Sequence, residues 1–570
     1  MNEYARFSHK LKSIIIAVFV ITAMGSLVYR LYFLQVYQHS FFVDKAKKQH
    51  LMNLKTPAKR GKIFDRKMRE LATTVASMSV YAVPQEIRDA AKTVKVLSGI
   101  IEINRNDIIP KLQTNKKFAW IKRKISVEEA DKIESMDLDG IYLRPDTKRV
   151  YPGGMLLSHV LGFVGIDDEG LEGLELKYDQ YLSGKPGWSI AERDGKRREV
   201  VPLRHQSVSV QDGMDLVTTI DIAIQTMVES QIDILIEKYE PESASIVVMN
   251  PANGDILALA NRPTFNPNNP GQYSAEARRN RAITDIFEPG STFKSIVMAA
   301  SLNEGMLTLD EKFFCENGQY RIGSHVLHDA HSFGILTLRE ILEKSSNIGM
   351  AKVGAYVGEK KIHSYVRKFG FGNTTHSGLS GEVNGFVNPL KNWSKLSVSS
   401  ISMGQEIAVT ALQLSRAYCA IANGGYLVKP KIIREIIGQD GRVIIKDDVE
   451  ERERIIKEEV ARDLADALMG VVSERGTAPR AAVEGYTVAG KTGTAQKVDP
   501  QGGYSQSKFV SSFVGFLPVS DPKAVILVVV NEPKYSHYGG TVAAPYFKTV
   551  AANLMRYLEV SPDTLLAKTE

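Results

Sequence analysis

Three short motifs occur in one order, each inside a different local pattern. Ser291-Thr-Phe-Lys294 heads a helical run, Ser345-Ser-Asn347 marks a corner between two more, and Lys491-Thr-Gly493 lies in a strand-like stretch. A chain that uses them together must fold a helix start, a helix corner and a strand onto one cleft, so helices packed on a sheet are the fold to expect. Singly, each motif is weak. At average residue usage, Ser-x-x-Lys or Ser-x-Asn arises by chance about once or twice in a chain this long. Ser505-Gln-Ser-Lys508 and Ser301-Leu-Asn303 do repeat the first two patterns. Order, spacing and context carry the argument.

Context favours Ser291. Glu288-Pro289-Gly290 breaks the preceding structure, and the residues from Ser291 to Gly305 then read as a helix. A serine in a first helical turn feels the positive end of the macrodipole and lies near free backbone N–H groups, which favour developing negative charge. Lys294 falls on the same face one turn on. Burial of its amine among Phe293, Ile296 and Val297 would lower its pKa and make it a base. Left in solvent, the pair is only an N-cap serine beside an ordinary lysine. Ser505–Lys508 reads as a Gly/Gln/Ser-rich loop with no helix after it.

The second motif ends a helix. Thr337-Leu-Arg-Glu340 is a capping-box pattern, and Leu338, Ile341 and Leu342 supply apolar bulk. The chain turns through Ser345-Ser346-Asn347 and resumes a helical pattern, so the corner either projects a hydroxyl and an amide into a cleft or merely caps two helices. The third motif reads as strand from Tyr486 to Lys497. Gly490 and Gly493 let another backbone approach and pair with it as an added strand. Lys491 would offer positive charge to a substrate carboxylate, and the backbone N–H groups of Ser291 and Thr494 would form an oxyanion hole. Together the three motifs supply a nucleophile, proton-handling partners and an anion-holding strand, the kit for attack on a peptide carbonyl through a serine ester.

Flanking patterns predict the sheet. Asp221 caps a helix that Pro241 ends; Ser245–Met249 and Ile256–Ala260 flank Asn253-Gly254, a strong hairpin signal. Phe509–Phe516 and Ala524–Val530 flank Asp521-Pro522. With the Lys491 strand this makes five strands drawn from both ends of the C-terminal part, and so an α/β (α+β) fold whose mainly antiparallel sheet is flanked by helices.

The wider pattern resembles a known family. It comprises Arg60-Gly-Lys-Ile-Phe-Asp65-Arg66, Arg149-Val-Tyr-Pro152, Gly162 through Glu175, Asn250 through Ala258, Phe287 through Lys294, Met403-Gly-Gln405 and Tyr538 through Pro545. On these motifs the chain resembles the class B penicillin-binding proteins, the monofunctional D,D-transpeptidases of bacterial cell-wall synthesis. It is most similar to the division (septal) type, with no C-terminal sensor repeats and a length below that expected of elongation-type members.

The resemblance implies a penicillin-binding transpeptidase fold, an elongated pedestal and one membrane anchor. Residues 1–12 would be a cytoplasmic tail, 13–34 the transmembrane anchor, 45–215 the pedestal (dimerisation-type) domain, 216–560 the transpeptidase domain and 561–570 a C-terminal tail. Ser291 would accept the acyl group and Lys294 act as base. Ser345 would relay protons to the leaving amine, and Asn347 would hold the donor. Lys491, Thr492, Gly493 and Thr494 would bind the terminal carboxylate and line the oxyanion hole. The donor would be a stem ending in D-Ala-D-Ala, which β-lactams mimic. No cofactor or metal is implied. The implied partners are stem peptides, lipid-linked nascent glycan, β-lactams, other division proteins, and a polytopic glycosyltransferase of the shape/elongation/division/sporulation family. Rival readings are an elongation-type transpeptidase, a serine β-lactamase, and a β-lactam-binding receptor or non-catalytic scaffold. The pedestal and anchor speak against the β-lactamase, and the short N-terminal tail against the receptor.

Composition is compatible with this. A net charge of +7 over 570 residues, with no nucleic-acid motif, gives no reason to expect nucleic-acid binding. His325, His328 and His331 read as a polar surface loop rather than a metal site. Cys315 and Cys419 are far apart in sequence, and their pairing is left open. The uncharged stretch from Ser13 to Tyr29 spans about 25 Å as a helix, slightly less than a bilayer core, and Leu31 to Leu34 extend it. An uncleaved anchor is expected over a cleaved signal peptide, because the apolar run continues past Ala23-Met-Gly25. Arg6, Lys10 and Lys12 before the span are balanced by Lys45, Lys47 and Lys48 after it, so lysine and arginine placement does not set the topology. The resemblance does, putting the catalytic part outside the cytoplasmic (inner) membrane.

Overall fold

In the computed structural model, which describes residues 3–193, 199–323, 325–446, 452–499 and 502–564, the apolar run after Lys12 is helical. Helix α1 (Glu3–Tyr32) continues into a π-helical turn, Phe33–Tyr37, along which the rings of Tyr29, Phe33 and Tyr37 stack in series. The stretch Arg6–Tyr37 is long and apolar enough to cross a membrane. It overruns the expected 13–34 at both ends, because the flanking Arg, Lys and Leu are good helix formers even where their charges belong at an interface. Alpha-carbon packing divides the chain into two units. The first, residues 1–58 with 185–211, holds α1 and a three-stranded antiparallel sheet of Leu51–Thr56, Gly187–Arg193 and Glu199–Val208. Of the tail expected over 561–570, residues 565–570 lie outside the described residues.

The second unit, residues 59–184 with 212–570, is built on two sheets. In the first, β1 (Glu70–Ala82) pairs antiparallel with β2 (Ala119–Ile125) and β3 (Ile141–Val150), and Ile63–Phe64 joins β1 to β4 (Asp215–Thr218). Ile433–Ile437 and Val443–Lys446, from far along the chain, extend this sheet beyond β4. The boundary expected at 215–216 therefore falls inside a strand whose partners come from both sides of it. Behind the sheet, Arg60 Nε donates to Glu175 Oε2 at 2.5 Å and Arg149 Nε to Glu175 Oε1 at 2.7 Å, all three side chains being buried. Asp179 takes a further bond from Arg60 at 2.6 Å. Three of the early motifs thus meet in one buried ionic knot.

The second sheet carries the cleft. Helix α2 (Ile222–Tyr239) starts at Asp221, whose carboxylate accepts the Ala223 N–H, and stops at Glu240 in the left-handed region, followed by Pro241. Strands β5 (Ser243–Met249) and β6 (Ile256–Arg262) form the hairpin turning at Gly254. There φ is +80°, and a Cβ would come within 2.2 Å of Lys429 O, so only glycine fits. The chain then supplies α3 (Lys294–Asn303), α4 (Leu338–Lys344), α5 (Asn347–Val357), α6 (Ala411–Ala422) and α7 (Glu458–Val472). It returns as β7 (Ala489–Val498), β8 (Tyr504–Leu517), β9 (Ala524–Asn531) and α8 (Ala544–Tyr557).

The strand order is β6-β5-β9-β8-β7, antiparallel throughout. β5, β6 and nearly all of β9 are buried along their whole length, with α2 and α8 packed together on the sheet and α6 across its centre. The apolar runs are continuous for that reason rather than alternating. Two sequence readings change. Ser505–Lys508 lies within β8, where Tyr504 pairs with Val498, and not in a loop. His325 and His328 lie on a short strand paired with Gln319–Ile322. Both cysteines are buried free thiols.

Candidate active site

A tight 3-10 turn, Gly290–Phe293, leads from Pro289 into α3 and carries Ser291. Ser291 is partly exposed on the wall of a cleft of about 660 Å³. Two glycines let other backbones press on this turn. Gly404, at φ +78°, accepts the Gly290 N–H at 3.0 Å, and a Cβ there would lie 2.1 Å from Gly290 O. A Cβ on Gly493 of β7 would lie 2.3 Å from Ser512 Oγ and 2.9 Å from Pro289 O. The glycines of Met403-Gly-Gln405 and of Lys491-Thr-Gly493 are thus points of backbone contact around the serine.

Lys294 is completely buried. Its amine donates to Ser345 O at 2.6 Å, to Asn347 Oδ1 at 2.8 Å and to Ser345 Oγ at 3.3 Å. Burial lowers its pKa from 10.5 to about 7, against the opposing pull of Asp329. Lys491 is also completely buried and donates to Ser345 Oγ at 2.9 Å. Burial first, and repulsion from Lys294 second, hold its amine well below the ordinary lysine range. The Lys491 amine, whose charge the sequence suggested for a substrate carboxylate, thus lies buried against Ser345 rather than exposed on the cleft wall.

The corner motif is held by caps. Thr337 and Glu340 form the capping box of α4, which ends at Ser345 in the left-handed region (φ 60°). This strained backbone turns the Ser345 hydroxyl between the two lysines. Ser346 caps α5 by accepting the Gly349 N–H at 2.9 Å. Sequence reasoning missed Asp329. Its carboxylate accepts from Ser346 Oγ at 2.7 Å, Asn347 N at 2.5 Å and Ile348 N at 3.1 Å, while Asn347 Nδ2 donates to His328 O at 3.0 Å. No local pattern around Asp329 announces a contact with a helix start this far along the chain.

On β7, an edge strand with one side free, Thr494 Oγ1 accepts the Gly539 N–H at 3.1 Å, which leaves its own proton to donate. Thr492 Oγ1 lies 2.9 Å from Thr477 Oγ1. A Cβ on Gly290 would be 3.5 Å from Thr494 O, so the turn bearing Ser291 and the strand bearing Thr494 run in contact. Ser291, Ser345, Asn347, Thr492 and Thr494 all line the cleft, with Lys294 and Lys491 directly behind its wall. The arrangement offers a nucleophile, two low-pKa amines joined through a hydroxyl, and hydroxyl donors along a strand edge.

Residues 244–552 match the penicillin-binding protein transpeptidase domain, and residues 55–218 the penicillin-binding protein dimerisation domain. The chain is 32% identical to the probable peptidoglycan D,D-transpeptidase PenA of Neisseria gonorrhoeae over 95% of this chain and 93% of that protein. It is 32% identical to the peptidoglycan D,D-transpeptidase FtsI of Escherichia coli (96% and 92%), and 35% identical to stage V sporulation protein D of Bacillus subtilis (94% and 83%). Among solved structures it is similar to penicillin-binding protein 3 of Mycobacterium tuberculosis, with a TM-score of 0.69 at 28% identity over 89% of this chain and 98% of that one.

Proposed function

This chain belongs to the class B penicillin-binding proteins, the peptidoglycan D,D-transpeptidases, and we propose that it cross-links septal wall during cell division through an ester on Ser291. The observation that carries the mechanism is the meeting of Ser291, Lys294, Ser345 and Lys491, from three distant segments, around one hydroxyl-lined cleft. Lys294 as free amine takes the Ser291 proton while Oγ attacks the penultimate D-Ala carbonyl of a donor stem. The N–H groups of Ser291 and Thr494 meet the oxyanion. Ser345 Oγ accepts from both lysines, so its own proton faces the cleft. The proton held by Lys294 passes through it to the departing D-Ala nitrogen. An amine of a neighbouring stem then attacks the ester, and Ser291 recovers its proton. One peptide bond is broken and one formed.

Asn347, Thr492, Gly493 and Thr494 hold the donor along the free edge of β7. The apolar helix Arg6–Tyr37 supports a single-pass anchor; in this reading the catalytic part lies on the extracytoplasmic side, where peptidoglycan is assembled. Intact mass of the full chain with benzylpenicillin tests the chemistry. A single, slowly lost adduct on the wild type, missing from Ser291→Ala, is expected; rapid loss points to a β-lactamase, and no adduct refutes a preformed site. Depletion tests the role: filaments are expected of a division enzyme, rounded cells of an elongation enzyme. Co-purification of a polytopic glycosyltransferase with the chain is expected, and its absence counts against the division complex. The 35% identity to the stage V sporulation protein favours a second reading, a role confined to spore formation. Normal vegetative growth on depletion would select it.

A further inference from the structure

The turn that carries Ser291 is pinned to the segment that carries Gly404. Phe287 N–H donates to Val409 O at 3.0 Å, Val409 N–H to Phe287 O at 2.9 Å, and Gly290 N–H to Gly404 O at 3.0 Å. Glu288 lies between these contacts and adds a side-chain bond to them: its Oε1 accepts the Glu406 N–H at 2.8 Å. The same oxygen accepts from Tyr504 OH at 3.2 Å, at the first residue of β8. Glu406 is itself held in the left-handed region (φ 58°), with its carboxylate accepting the Ser397 hydroxyl at 2.7 Å. One carboxyl oxygen, three residues before the nucleophile, thus joins the Ser291 turn to the Gly404 segment and to the start of β8.

The other oxygen is left over. Glu288 Oε2 is buried and, among the described residues, has no hydrogen-bond partner. No lysine or arginine among them pairs with Glu288 either. Arg279 and Arg281, which line the same cavity of about 510 Å³, both bond Asp285, and Lys497 bonds Glu532. Burial raises the Glu288 pKa, against the opposing pull of its two hydrogen bonds. A carboxyl held this way costs stability, because it is desolvated and only half satisfied. An apolar residue of similar size would fill the space without that cost. Groups kept at such a cost cluster where geometry serves chemistry, and this one sits at the approach to the nucleophile.

We propose that Glu288 is a positioning residue for the nucleophile: through Oε1 it sets the Ser291 turn against the Gly404 segment and the start of β8. The inference rests on the transpeptidase reading of the cleft. Rapid-quench acylation of the full chain at rising benzylpenicillin concentration tests it. That measurement separates ligand affinity, the acylation rate constant and the fraction of chain that forms the Ser291 adduct. Glu288→Ala should lower the rate constant about 10- to 100-fold, the upper figure being the cost of roughly 1 Å of misplacement, with affinity within about twofold. Glu288→Gln keeps an oxygen for both donors and should recover most of the loss. Tyr504→Phe removes one donor and should lower the rate constant about 2- to 10-fold. It should add nothing in the Glu288→Ala background, since both act through one oxygen. An unchanged rate constant in Glu288→Ala overturns the proposal, and so does an equal loss in the Gln and Ala variants. A smaller adduct yield at an unchanged rate constant makes Glu288 a folding residue and overturns it too. Where Glu288→Ala does not fold, Tyr504→Phe decides, and a rate constant equal to the wild type overturns the proposal. A wild type that forms no Ser291 adduct overturns the serine chemistry and the positioning role together.

Discussion

The buried Lys491 amine lies 2.9 Å from the Ser345 hydroxyl on the cleft wall, and the buried Lys294 amine reaches the same hydroxyl at 3.3 Å. Burial holds both amines below the ordinary lysine range, and repulsion from Lys294 lowers Lys491 further. Only the free amine of Lys294 can take the serine proton. Acylation by benzylpenicillin should therefore rise with pH through about 7 and level off above it. Rapid-quench rates on the full chain check this, and a rate independent of pH across that window would refute Lys294 as base. The linkage has the same sign. The unfolded chain binds a proton at Lys294 up to about 10.5 that the folded chain has released above about 7, so this residue makes stability rise with pH between those values.

Replacing Lys491 separates a buried amine from a simple positive charge. If the residue served as charge for a substrate, Lys491→Arg would work nearly as well as the wild type. A guanidinium stays charged at any working pH, is bulkier, and would sit beside Lys294 with no carboxylate in contact among the described residues. Lys491→Arg should lose acylation by about 10²- to 10⁴-fold, the usual worth of a proton-handling group, and no less than Lys491→Met does. Adduct formation followed by mass measures both.

What the sequence discloses and what it hides divide along chain distance. The Ser291 turn, the capped corner at Thr337–Ser345 and the hairpin at Asn253-Gly254 are local patterns, and each appears where its own residues put it. Partner choice is not local. Nothing near Ile433 says that it extends a sheet begun at Ile63, and Gly/Ser-rich composition conceals the start of β8. The motifs around Arg60, Arg149 and Glu175 are visible as motifs, but their salt bridges appear only in three dimensions. Lys491 shows the same limit in the site: its place on a strand is legible, whereas its burial depends on what α3 and the Ser345 corner bring against it.

Asp329 is the support that local reading omits, and it acts by position. Its carboxylate fixes Ser346, Asn347 and Ile348 at the start of α5, and so sets where Asn347 meets Lys294. Asp329→Ala should leave three donors at a helix start unpaired, costing about 1–3 kcal/mol. It should also slow acylation about tenfold or more by loosening the corner. Asp329→Asn keeps one acceptor oxygen and should recover part of both. The chain's thermal midpoint and acylation rate, measured for both variants, test the pairing; equal rates in wild type and Ala variant would remove Asp329 from the site.

Glu175 provides the complementary case, a carboxylate remote from the chemistry whose loss should strike the fold alone. It is completely buried, with Arg60 on one oxygen and Arg149 on the other, and Tyr151 OH within 3.3 Å. Glu175→Gln keeps the shape, but turns an acceptor into an amide N–H that faces a guanidinium and leaves two buried arginines with too little negative charge. Removing one partner from such a cluster costs about 3–5 kcal/mol, far more than an exposed ion pair. Asp179 offsets only part, since it faces Arg60 alone and is itself partly exposed. Thermal inactivation of the variant should begin well below that of the wild type, while its acylation rate at low temperature should stay within about twofold. A variant as heat-resistant as the wild type would show that the knot adds nothing to stability. One that is stable but slow would instead tie Glu175 to the cleft.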